Sequence, residues 1–213
     1  MNVATRPVPL LGGVLAGGQS TRFGRPKWSE PVAGVPMALR AAAALVPHTR
    51  EVVLIAPGPV YPDMGLPVLP DAPGGGGPLA GLVAALERAL AHGDRGCLVL
   101  ACDLPLVGAD LVGALVEAWE GEHVVAPERR GRLQPLCALW SVAALPAARA
   151  ALGSADRSVV GVVGGLTVRT LGEAQWRARA TGPDPLLNVN TPPDLLLAAA
   201  LLADRGAFGD RPV

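Results

Sequence analysis

Lysine is almost missing from this chain. Lys27 is the only one, and every other basic residue is arginine. Aromatics are scarce too, at 3%, so a core must come from alanine, leucine and valine, within a chain that is 50% hydrophobic. There is no excess charge of either sign: Lys+Arg 18 balances Asp+Glu 18. That balance argues against a nucleic-acid binder, which carries a basic face or stripe. The short basic run Glu128 to Arg132 reads as a solvated turn. Cysteine is limited to Cys97, Cys102 and Cys137, an odd number without C-x-x-C spacing. Neither a disulfide framework nor a cysteine-rich metal site follows from that, and the three read as small buried hydrophobes. His48, His92 and His123 are scattered, which leaves a zinc site without support.

Long apolar runs are also lacking. The Leu/Ala run from Leu195 to Leu202 falls well short of the ~18 residues that span a bilayer. The segment "VPLLGGVLAGG" after Arg6 faintly resembles a secretory leader, but it is short and broken by glycine. A cytoplasmic protein is expected.

What is present is alternation. Leu10 to Leu15, Val52 to Ala56 and Cys97 to Asp103 read as buried strands. Pro36 to Val46, Leu79 to Ala91 and Ala109 to Trp119 read as helices. Further strands are expected at His123 to Pro127, Pro135 to Trp140 and Leu166 to Leu171. The last unit, "LLNVNTPPDLLLAAALLA", predicts a short strand, a turn and a helix starting near Pro192, with Thr191 as N-cap and Asp194 in the first turn. Neither a repeat nor a linker divides the chain, so one domain over residues 1–213 is expected, with its core at about 8–204. This pattern predicts an α/β fold: a mainly parallel sheet with helices on both faces. Such sheets bind ligands beyond the C-terminal ends of their strands.

The candidate residues follow those ends. After the first strand comes Ala16-Gly17-Gly18-Gln19-Ser20-Thr21-Arg22-Phe23-Gly24-Arg25-Pro26-Lys27. It matches neither the P-loop nor the G-x-G-x-x-G pattern. It is either a structural turn or a backbone nest for phosphate, with Arg22 and Lys27 adding charge. Lysine offers a compact charge where arginine offers a planar fork, so retaining one lysine suggests a site where the fork does not fit. Asp103 either caps the next helix or holds Mg²⁺ against substrate phosphates; Asp110 is better placed for capping. Asp71, before "APGGGGPLAGL", is a turn residue or an acceptor for a base or sugar. Asn188 and Asn190 share one side of the expected strand end, for a polar ligand or a local turn.

The stretches "LAGGQSTRFGRPK", "DAPGGGGPLAGL", "ACDLPLV", "RLQPLCALW" and "NVNTPPDL" together resemble the molybdenum cofactor guanylyltransferase family, from Leu15 to about Leu197. The resemblance implies a single Rossmann-like nucleotidyltransferase domain. It implies transfer of GMP from GTP to the molybdopterin phosphate, with release of pyrophosphate and with Mg²⁺. By that resemblance Leu15, Ala16, Gly17, Gly18, Asp71 and Gly77 lie on the nucleotide. Arg22, Lys27 and Asp103 act at the phosphates, with Asp103 on the metal, and Asn188 and Asn190 lie toward the pterin or phosphate. Partners are then GTP and molybdopterin, with other proteins of cofactor biosynthesis or cofactor acceptors, and neither nucleic acid nor membrane. The family usually has methionine at Phe23, aspartate at Pro26 and a polar residue near Ile55. The class of enzyme is therefore better supported than the base. A pterin cytidylyltransferase, a sugar-phosphate nucleotidyltransferase, a nucleotide-binding module that no longer transfers and a purely structural protein remain as alternatives.

Overall fold

Neighbouring residues of a strand point to opposite faces, and here both faces are covered. The computed structural model describes residues 9–17, 26–57 and 64–209. Its elements run β1 (Leu10–Leu15), the hairpin β2 (Pro31–Val32) and β3 (Val35–Pro36), α1 (Met37–Leu45), β4 (Glu51–Ala56), β5 (Val68–Pro70), α2 (Pro78–Ala91), β6 (Gly96–Ala101) and α3 (Ala109–Ala118). They continue with β7 (Val124–Arg129), β8 (Arg132–Leu133), β9 (Cys137–Ser141), α4 (Leu145–Leu152), α5 (Val159–Val163), β10 (Val168–Leu171), α6 (Glu173–Arg177) and α7 (Pro192–Gly209). The main sheet has the order β10-β7-β9-β6-β1-β4-β5, with β8 paired to β7.

Strands β5, β4, β1 and β6 are parallel, and β9 is reversed against both β6 and β7. From β1, Leu10 and Val14 join a core with Ala38 and Leu45 of α1 and Leu111 and Leu115 of α3. Leu11 and Leu15 join the opposite core with Leu82 and Leu86 of α2 and Leu145 of α4. A third, smaller cluster packs α7 onto the hairpin through Val32, Met37, Leu106, Val189 and Ala198.

The few aromatics are concentrated in tryptophan. Trp140 and Trp176 are fully buried, and each indole N–H donates to a carbonyl, Pro135 at 2.9 Å and Glu128 at 2.8 Å. Burying ~150–250 Å² apiece contributes about 4–6 kcal/mol each before entropy is counted. The basic run does form a turn: Arg130 (φ 51°) and Gly131 (φ 72°) connect β7 to β8.

One expected element does not form. Residues 187–190 are irregular, not a strand. Their backbone groups are taken elsewhere: Val189 N–H donates to Asp103 O at 2.9 Å and Asn190 N–H to an Asp194 oxygen at 2.9 Å. The α7 start behaves as expected, with Thr191 N–H and Asp194 N–H each bonding the other's side chain.

Candidate active site

The parallel strands end together. Leu15 is in register with Ile55 of β4 and Ala101 of β6. Past that row, Ala16 N–H donates to Ile55 O at 2.8 Å, and Cys102 N–H to Leu15 O at 3.1 Å. Leu15, Ala16 and Gly17 therefore occupy the centre of the rim, with Asp103 just beyond β6. A Cβ on Gly17 would meet only Pro57, at 3.7 Å, so among the described residues nothing demands glycine there. Gly77 is different: its φ of +80° favours glycine and turns the chain into α2, where Pro78 occupies the first turn. The α2 N-terminus thus lies after the "GGGG" loop, an end that attracts anions. Gly18 and Arg22 lie outside the described residues.

Lys27 opens a single 3₁₀ turn, Lys27–Ser29. Its Nζ donates to Asp103 Oδ2 at 3.1 Å and to Asn190 Oδ1 at 2.8 Å. Three residues that sequence reasoning marks separately thus meet at one point, across separations of 76 and 163 positions. Asp103 is not a cap: Gly108 stands at the N-cap of α3, with Asp110 in the first turn. Asn188 lies with Asp103, Gln134 and Arg157 on the wall of a cleft of about 470 Å³.

Asp71 follows β5. Among the described residues its buried Oδ2 has no hydrogen-bond partner, and burial raises the carboxyl above the usual range. Oδ1 faces Gly81 of α2, where an added Cβ would stand 3.3 Å away. Oδ2 is closed to solvent as it stands, while the residue as a whole is only half-buried at the end of β5. The thiols are poor nucleophiles: all three are buried, and burial pushes Cys102 and Cys137 up to about 12.

Two residues escape sequence reasoning. Asp194 reads there only as a helix-start residue, yet its Oδ2 also holds the backbone of Asn190. Those bonds, led by the one from Asn190 N–H, keep its carboxyl below the usual range. Arg157 lines the cleft and donates to Gly74 O at 3.3 Å. No local signal separates it from the other arginines.

Residues 12–166 match the family model of the MobA-like NTP transferase domain. A molybdenum cofactor guanylyltransferase of Rhodobacter capsulatus is 37% identical over 192 residues, 89% of this chain and 94% of the relative. One from Cereibacter sphaeroides is 36% identical over 198 residues, 91% and 97% of the two chains. Among solved structures, molybdopterin-guanine dinucleotide biosynthesis protein A from Archaeoglobus fulgidus superposes with a TM-score of 0.75 at 22% identity, covering 92% of this chain and 100% of that one. The 2-C-methyl-D-erythritol 4-phosphate cytidylyltransferase of Thermus thermophilus gives 0.64 at 23% identity, covering 92% and 99%. These structures share the fold.

Fold and family model together define a nucleotidyltransferase. The relatives narrow the class further: the chain belongs to the molybdenum cofactor guanylyltransferase family.

Proposed function

We propose that this chain transfers GMP from GTP to the phosphate of molybdopterin, releasing pyrophosphate. The observation that carries the reading is the meeting of Lys27, Asp103 and Asn190 at the C-terminal rim of the parallel strands. In this reading the backbone of Leu15, Ala16 and Gly17, with the turn at Gly77, receives the nucleotide. Gly18, next in the sequence, is assigned to the nucleotide, and Arg22 to its phosphates. The half-buried carboxylate of Asp71, just after β5, accepts a hydrogen bond from the nucleoside. Lys27 neutralises the triphosphate, and Asn188 faces the acceptor across the cleft.

Asp103 Oδ2 and Asn190 Oδ1 converge on one cationic nitrogen, and such hard oxygen donors suit Mg²⁺. Among the described residues no group of three His, Cys, Asp or Glu could hold a metal. We assign the ion to one carboxylate, Asp103, and the substrate's own phosphates. Bound there, Mg²⁺ supplies positive charge to the triphosphate and its leaving group.

The acceptor phosphate is largely a dianion at pH 7, since its second pKa is about 6. Its oxygen attacks the α-phosphorus as the bond to the β-phosphate oxygen breaks, and pyrophosphate carries the electron pair away. No general base is needed, and the buried thiols take no part. The chain's task is to align the two phosphates and hold charge around them. Among the described residues no helix is long and apolar enough to cross a membrane. We place the reaction in the cytoplasm, with small-molecule substrates.

The test is pyrophosphate release from each of the four nucleoside triphosphates, with and without molybdenum-loaded molybdopterin. Release with GTP, dependent on the pterin, is expected. Release with CTP instead would overturn the guanylyl assignment, and GTP binding without release would reduce the chain to a binding module.

A further inference from the structure

We propose that Lys27 is the resident cation of Asp103 in the nucleotide-free chain, and that the triphosphate must draw it off before a divalent metal can bind there. The inference rests on the reading of Asp103 as the metal carboxylate.

The Lys27 ammonium lies on Asp103 Oδ2 and Asn190 Oδ1, the two oxygens that would face a metal. The pair is partly buried, with side-chain exposures of 17% for Lys27 and 26% for Asp103. A divalent ion on the same oxygens would stand within a few ångströms of a positive charge. With solvent partly excluded, that repulsion far exceeds thermal energy. Ammonium and metal therefore exclude each other at this carboxylate. Lys27 has a flexible four-carbon stem and rotatable donors, so it can change partners without moving the backbone. A triphosphate offers it more negative charge than one carboxylate. Once Lys27 turns to the phosphates, Asp103 Oδ2 and Asn190 Oδ1 are both vacated. Nucleotide and metal then bind cooperatively, beyond the chelation that GTP provides on its own, and by linkage each tightens the other.

Mn²⁺ binding to the nucleotide-free protein, followed by loss of the free-ion EPR signal, tests this directly. Lys27→Met is expected to bind Mn²⁺ on the order of 10-fold more tightly than wild type, because a like charge is removed. Adding Asp103→Asn to that variant is expected to abolish the gain. If Lys27→Met binds no more tightly while Asp103→Asn still weakens binding, the metal site stands and the inference falls. If Asp103→Asn changes nothing in the Lys27→Met background, the reading of Asp103 falls, and the inference with it.

A second measurement needs no variant. Because the chain has a single lysine, isotopic labelling of lysine at Cε gives one carbon resonance. GTP in the presence of EDTA is expected to shift it, and Mg²⁺ alone at a few millimolar is not. Bound GTP without a shift, or a shift with Mg²⁺ alone, overturns the proposal.

Discussion

Lysine and arginine carry the same charge, yet position 27 separates them. A guanidinium would meet Asp103 as a two-pronged fork and hold it more firmly than an ammonium can. Lys27→Arg is therefore expected to lower turnover at saturating GTP by ~10-fold or more, although charge is conserved. Wild-type turnover in that variant would make the choice of lysine accidental. Asp71 gives a second residue-scale prediction. Its carboxyl is raised by burial in the folded chain, so the ionised form costs more folded than unfolded. Stability is therefore lost as pH climbs from the unfolded value, about 3.9, through the higher folded one. Asp71→Asn removes that loss. Its melting temperature should exceed wild type at pH 7 without ligand, with the gap closing below about pH 3. The same variant should bind GTP more weakly. A lower melting point at pH 7 would mean that the carboxylate has a stabilising partner.

Elements constrain glycine differently from sites. Gly96 opens β6 against Ser141 of β9, and an added Cβ would stand 2.4 Å from the Trp140 carbonyl oxygen. Backbone cannot swing aside as a side-chain tip can. Gly96→Ala should destabilise by about 1–3 kcal/mol or more, seen as a lower urea midpoint at unchanged slope. Gly17→Ala, with only Pro57 near it among the described residues, should stay within about 0.5 kcal/mol of wild type. Strands of this kind were legible because continuous apolar runs such as "VVLIA" suit a sheet covered on both faces. The reversal of β9 was not, since an apolar run covered on both faces reads alike in either direction. β5 was hidden as well: Val68–Pro70 is three residues long, ends in proline and sits in a Pro/Gly-rich stretch. The strand expected around Asn188 failed because Asp103, from across the fold, and Asp194, four residues beyond Asn190, claim its backbone donors. Lys27, Asp103 and Asn190 could each be marked from the sequence. Their contact could not, because it is made by the folded sheet and by the return of the last segment.

The molecule completes its site late in the chain. Asp194 Oδ2 accepts from Asn190 N–H, Thr191 N–H and the Thr191 hydroxyl, and so fixes the Asn190 side chain relative to Lys27. Asp194→Ala should leave the sheet folded but loosen that segment. A misplacement of about 1 Å can cost on the order of 100-fold, so a fall in kcat between ~10-fold and ~100-fold is expected, read beside an unchanged circular dichroism spectrum. Normal kcat would show that Asn190 holds its place without this anchor. The 163 positions between Lys27 and Asn190 also have a meaning in time. Ribosomes add ~5–20 residues each second, so about 8–30 s separate the synthesis of the two residues. Late in that interval, once β6 (Gly96–Ala101) has been made, the nascent polypeptide has its central parallel strands but not the amide that closes on Lys27. A product that ends before Asn190 is therefore expected to begin folding without acquiring turnover.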